Sequence, residues 1–271
     1  MSTTGKRRRS VVITGASAGI GRAMALEFAA RGYDLGLTAR RMEVLQECEH
    51  DIRAMYPDPA LRIALASVDV AQDETVEASL HALFEQMGGV DIVVVNAGIN
   101  DFTRVGRGDL ASEKRIIQTN LIGAMATIDA SVSYWLAAGT AACGSDADSA
   151  RHARAPGDGG HIVGVSSLAS LQAIPKQAAY CASKAGLSMY LDAARLELRR
   201  RNIHVTSILP GFVKTEIMAD IEKYPFAVGA AQAACEIVDA VERRKKIGIV
   251  PGYPWKYLRP FFGHFPSSFL R

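Results

Sequence analysis

Seven short runs of aliphatic and β-branched residues recur along the chain, and a longer amphipathic run separates each from the next. The apolar runs are SVVIT (10–14), YDLGLT (33–38), LRIALAS (61–67), VDIVVV (90–95), HIVGVS (161–166), IHVTSI (203–208) and IGIV (247–250). Several lack the apolar–polar alternation of a half-exposed strand, so both of their faces must be covered. Between them, residue periodicity predicts helices at about 19–31, 41–56, 73–87, 112–138, 177–201 and 229–246. Strand and helix alternating this often implies an α/β fold: a parallel sheet, doubly wound by right-handed crossovers.

The length of 271 residues suits one domain, with 49% hydrophobic and 22% charged residues giving a sizeable core and an ordinary surface. The net charge of +3 is too small to imply a polyanionic partner. The basic run Lys6-Arg7-Arg8-Arg9 is read as a solvated N-terminal tail (1–9), not a nucleic-acid site. Four scattered cysteines form no C-x-x-C pair, and no apolar core precedes the first strand, so a reduced, cytoplasmic setting is expected. No uncharged apolar run reaches the roughly 18 residues of a membrane span. The six histidines show no helical or zinc-ligand spacing, and no metal site is expected.

Two stretches break the rhythm. Residues 139–160, rich in Gly, Ala, Ser and Asp, read as a long surface loop. Residues 251–271 hold Pro251, Pro254, Pro260 and Pro266 among Trp255, Tyr257, Phe261, Phe262, Phe265 and Phe269. The prolines forbid one long helix, yet so much apolar surface must cover something. Docking on the protein is the favoured reading, and shallow membrane contact is the less favoured one.

The first strand leads into TGASAGIG, with glycines at 15, 19 and 21 ahead of a helix. Such glycines permit a sharp turn and close approach of backbone to a pyrophosphate, which the helix N-terminus then holds. The pattern is a variant of the dinucleotide fingerprint. At the end of the second strand, where an acid would bind a ribose 2′-hydroxyl, stand Arg40 and Arg41. A guanidinium suits a 2′-phosphate, so NADP(H) is favoured over NAD(H). Asp34 lies at the wrong end of that strand.

VDV (68–70), NAG (96–98), VSS (165–167) and PGFVKT (210–215) all fall at C-terminal strand ends, where open α/β sheets bind ligands. With these pieces, Asn120, and Tyr180-x-x-x-Lys184 in YCASKAG, the chain resembles the short-chain dehydrogenase/reductase family from about residue 10 to 250. The resemblance implies a single Rossmann-fold domain over 10–250, with strand order 3-2-1-4-5-6-7. It also implies that Tyr180 is the acid/base, with Lys184 one turn away lowering its pKa and binding the nicotinamide ribose. Ser167 would then stabilise the substrate oxygen, and Asn120 would support a water-linked proton path to the lysine. Carried over by position, Thr14, Gly15, Ser17, Gly19, Ile20 and Gly21 cradle the phosphates. Asp69 and Val70 flank the adenine, and Asn96, Ala97 and Gly98 line the cleft. Pro210, Gly211, Val213 and Thr215 lie by the nicotinamide, the last two reaching its carboxamide.

The expected function is NADP(H)-dependent interconversion of a carbonyl and a secondary alcohol. The alternatives are an NAD-dependent alcohol dehydrogenase of the same fold and a non-catalytic nucleotide-binding regulator. Ile217, Met218, Tyr224 and Phe226 suggest an apolar small-molecule substrate. A homodimer or homotetramer follows from the family's pairing of its long fourth and fifth helices. Three departures stand out: Ala18 replaces a basic residue common in NADP enzymes of the family, 139–160 is long, and 216–229 is short for a lid.

Overall fold

The chain is described here by a computed structural model covering residues 7–141, 159–215 and 226–262. The main sheet is wholly parallel and runs β3-β2-β1-β4-β5-β6-β9. Its strands are β1 (Ser10–Thr14), β2 (Asp34–Ala39), β3 (Ile63–Ser67), β4 (Ile92–Val95), β5 (His161–Val165), β6 (His204–Pro210) and β9 (Ile247–Val250). Two short strands, β7 (Val213–Lys214) and β8 (Val228–Gly229), pair apart from the sheet and bracket residues 216–225. The expected seventh strand is therefore β9, in the expected place.

Every residue of β1, β2, β4 and β5 is buried, as their unbroken apolar character requires. Side chains alternate between two cores. Val11 and Ile13 pack with α1 (Gly19–Ala30), α2 (Met42–Met55) and α7 (Ala230–Glu242). Val12 faces α3 (Asp73–Gln86), α5 (Gly123–Ala141) and α6 (Ala178–Glu197). Phe28 in the first core and Phe84 in the second are fully buried, and each would cost about 3–5 kcal/mol on truncation to Ala.

The predicted helix at 112–138 is not continuous. It divides into α4 (Leu110–Ile117), a π-helical turn Gln118–Ile122, and α5. The Gly123 N–H reaches back five residues to the Gln118 carbonyl. Gly123 sits so close to β3's exit that a Cβ there would lie 2.4 Å from the Val70 carbonyl oxygen. Despite the expectation of no membrane-length run, Leu110–Ala138 has the length and hydropathy of a span, with 39% of its apolar window buried in the protein.

Two boundary readings change. The 139–160 loop begins later, since α5 continues to Ala141, and 142–158 lie outside the described residues. The basic tail is tied down where it is described: Arg7 pairs with Asp91, Arg8 with Asp58, and Arg9 lies over the Tyr33 ring. The C-terminal tail docks on the protein as far as it is described, through α8 (Trp255–Leu258) and a 3₁₀ turn at Arg259–Phe261. Trp255 packs edge-on against Phe212 and Phe226, with centroids 5.6 and 6.2 Å away, and against Phe262 at 6.2 Å. Gly252 N–H donates to Glu236 Oε2 at 2.8 Å. Tyr253, Tyr257 and Phe261 remain outward-facing.

Candidate active site

A cleft of about 530 Å³ opens at the C-terminal ends of the central strands. At one end lies the glycine loop. Gly15 and Gly19 adopt φ of +67° and +55°, which favours glycine. A Cβ on Gly21 would meet the Gly15 carbonyl oxygen at 2.2 Å. Helix α1 begins at Gly19 with no side-chain cap from Ala18, so its first N–H groups are free to bind an anion. This is a cradle that side chains would fill, and it fits a pyrophosphate.

Gly15, Ser17, Gly19, Ile20 and Gly21 line this end of the cleft, followed by Arg40, Asp69 and Val70. Asn96, Ala97 and Gly98 lie midway, and Pro210, Gly211, Val213 and Thr215 close the far side. Thr14 does not line the cleft. It is buried behind the loop, where its Oγ1 donates to the Val94 carbonyl (3.3 Å) and accepts from the Asn96 and Ala97 N–H groups (3.0 and 3.1 Å). Asn96 Nδ2 in turn donates to the Thr14 and Gly15 carbonyls at 2.9 and 3.2 Å, tying the end of β4 to the glycine loop.

Arg40 and Arg41 both line the cleft and are exposed, and among the described residues neither guanidinium has a hydrogen-bond or ion-pair partner. Asp34 is engaged elsewhere. At the opposite end of β2 it accepts from Arg62 N–H (3.1 Å) and Nε (2.8 Å). No carboxylate on β2 therefore competes for the ribose position.

At the other end, β5 and α6 bring together Ser167, Tyr180 and Lys184. Ser167 Oγ accepts from Ala169 N–H at 3.1 Å, and Ser167 acts to lower the pKa of the Tyr180 phenol. Lys184 Nζ lies 5.9 Å from the Tyr180 ring centre and donates to the Val165 carbonyl at 2.9 Å. Ser166, the neighbour with which Ser167 could be confused, is used differently. Its Oγ donates to the Lys184 carbonyl (2.9 Å) and bonds Ser188 (2.7 Å), fastening α6 to β5. Asn120 does not line the cleft. Its amide accepts from Ile99 N–H (2.7 Å) and donates to the Ile99 carbonyl (2.8 Å) and Ser183 Oγ (3.2 Å). It thus joins the strap after Gly98 to α6, and acts as a positioning residue.

One electrostatic expectation is overturned. Burial pushes the Tyr180 phenol above its ordinary pKa of 10.0, and the Ser167 hydrogen bond opposes this only in part. Burial also brings the pKa of the Lys184 ammonium down to about 8. The ammonium that would favour a phenolate is itself desolvated. Burial likewise raises the Cys181 thiol, which leaves it a packing residue of α6.

Sequence reasoning missed Asn100, which lines the cleft two residues past the NAG motif, and also Ile99 and Thr119 beside it. Adjacency to Asn96-Ala97-Gly98 was the available signal. Among the expected pocket residues, Phe226 is described and half-exposed at 52%, whereas Ile217, Met218 and Tyr224 lie outside the described residues. Among the described residues no cluster of three or more His, Cys, Asp or Glu could hold a metal.

Comparison with known proteins bears on this geometry. A family model described as short chain dehydrogenase matches residues 9–225. An uncharacterized oxidoreductase of Mycobacterium tuberculosis is 36% identical over 253 residues, covering 93% of this chain and 92% of the relative. A short-chain dehydrogenase from Sphingobium yanoikuyae, solved in complex with NADPH, superposes with a TM-score of 0.75 at 22% identity, covering 94% of this chain and 93% of that one. An alcohol dehydrogenase from Thermococcus sibiricus, complexed with 5-hydroxy-NADP, gives 0.72 at 23% identity and covers 90% and 95%.

Proposed function

The chain belongs to the short-chain dehydrogenase family and is an oxidoreductase, and from that premise we propose that it interconverts a carbonyl and a secondary alcohol on an apolar small molecule, using NADP(H). The observation that carries the reading is the convergence of Ser167, Tyr180 and Lys184 on a cleft whose other end is a glycine cradle beside two exposed guanidinium groups. Gly15, Gly19 and Gly21 would hold the pyrophosphate, and Arg40 the 2′-phosphate. A nicotinamide cofactor bound there supplies or accepts the hydride.

The rest falls to the protein. In the reducing direction Tyr180 Oη gives its proton to the carbonyl oxygen, and Ser167 Oγ donates a hydrogen bond to the same atom as negative charge develops. The raised phenol pKa keeps Tyr180 protonated at neutral pH, which suits reduction. Oxidation needs the phenolate and should accelerate as pH rises. Lys184, charged below about pH 8, would bind the nicotinamide ribose. Outward-facing Leu110 on α4 and Met189 and Leu196 on α6 support a homo-oligomer built on these helices.

A panel of ketones and aldehydes scored for NADPH oxidation tests the reading. Tyr180→Phe should cut turnover about 100- to 1000-fold while NADPH affinity moves little, because the hydroxyl serves proton transfer. Comparable turnover in the mutant would remove the tyrosine from its role.

A further inference from the structure

Asn100 faces the same cleft as Tyr180, yet its amide is held from one side only. Nδ2 donates to Gln177 Oε1 at 3.2 Å. Oδ1 is buried and meets no donor among the described residues. Buried side-chain acceptors are rarely left unpaired, and one left so inside a binding cleft calls for a ligand donor.

The surroundings keep the amide in place. Just before it, both main-chain groups of Ile99 are bonded to Asn120. Just after it, Thr103 N–H donates to the Lys176 carbonyl at 2.9 Å. Gln177, its one side-chain partner, sits at the start of α6, three residues before Tyr180. Three residues of helix rise about 4.5 Å. The unpaired oxygen thus belongs to a side chain that lines the same cleft as the phenol and is tied through Gln177 to the helix that carries it.

We propose that Asn100 is a specificity-determining residue whose amide hydrogen-bonds a second oxygen of the substrate, so that preferred substrates are hydroxyketones or diols with a hydroxyl near the reacting carbon. This rests on the carbonyl–alcohol reading above. A hydroxyl fits because it can donate to Oδ1 while remaining neutral. A carboxylate would set its lone pairs against those of Oδ1. Gln177 is the positioning residue that aims the amide.

The test uses matched pairs. In the wild type, kcat/KM with NADPH should be about 10-fold higher for 2-hydroxyacetophenone than for acetophenone. Asn100→Ala should bring the ratio close to one, and Gln177→Ala should reduce it, serving as the second variant should the first fail to fold. A binding arm needs no turnover: calorimetry of 1-phenylethane-1,2-diol and 1-phenylethanol on the NADP⁺ complex of Tyr180→Phe, expected to favour the diol about 10-fold. Equal affinities for the two alcohols, including no binding by either, overturn the proposal, as does a preference that survives both substitutions. If neither ketone is reduced but the diol preference persists and vanishes with Asn100→Ala, the Asn100 inference holds and the carbonyl-reduction reading falls.

Discussion

The two ends of the cleft are built from different materials. At the phosphate end the surface is main chain: three glycines within seven residues and the uncapped start of α1, with Arg40 as the added charge. At the catalytic end it is side chain: Ser167 from β5's exit, Tyr180 and Lys184 from α6, and Asn100 from the strap after β4. A main-chain surface is fixed by what is missing, since a Cβ at Gly15 or Gly21 would collide. A side-chain surface is fixed by what surrounds it, and depends on partners such as Ser166, Asn120 and Gln177 that touch no reacting atom.

Gly21→Ala should break the contrast most sharply. The new Cβ must displace the Gly15 carbonyl, and overpacking of this kind costs up to about 3 kcal/mol. NADPH affinity, read by fluorescence titration, should fall about 100-fold, while Tyr180→Phe leaves it nearly intact. Similar losses in both would mean that the two ends are not separable.

Arg40→Asp sharpens the comparison, because it changes a side chain at the main-chain end. Losing a charge-assisted contact and adding repulsion should weaken NADPH about 30-fold and spare NADH. Equal losses for both cofactors would mark the arginine as structural.

The smallest expected effect concerns the catalytic end's stability. The folded pKa of Lys184, about 8, lies below its ordinary 10.5, so between these values the unfolded chain binds more protons and stability rises with pH. Below about pH 8 the full penalty applies, with an upper bound of about 3 kcal/mol. Lys184→Met should therefore raise stability by about 1–2 kcal/mol at pH 7 in a denaturant titration, and the gain should fade by pH 10.5. A loss at pH 7 would show that the bond to the Val165 carbonyl outweighs desolvation.

The phosphate end was almost entirely legible in the sequence. Glycine spacing after a buried strand states a backbone requirement directly, and the strand order followed from the alternation of runs with the family resemblance. Thr14 braces the loop from behind, a role that spacing cannot distinguish from facing the ligand. At the catalytic end the YxxxK pair and Ser167 were legible, but the sign of the Tyr180 shift was not. That sign depends on how deeply the phenol itself is buried, which only the packing around α6 reveals. Asn100 was missed because its partner Gln177 is 77 residues away, and no local pattern announces that meeting.

The π turn at Gln118–Ile122 makes residue count, as well as residue type, a constraint on the site. Each residue of an α-helix turns the next by about 100°, so the widened turn accommodates one residue more than regular winding would. Deleting any single residue there would heal the helix and could even improve its local hydrogen bonding. It would also swing Asn120 away from Ile99 and Ser183, and shift Gly123 from its seat against Val70. A helix-regularising deletion should thus yield a well-folded protein with a loosened strap at Asn100. For this stretch, alignments that permit a one-residue gap between α4 and α5 would join chains whose sites are built differently.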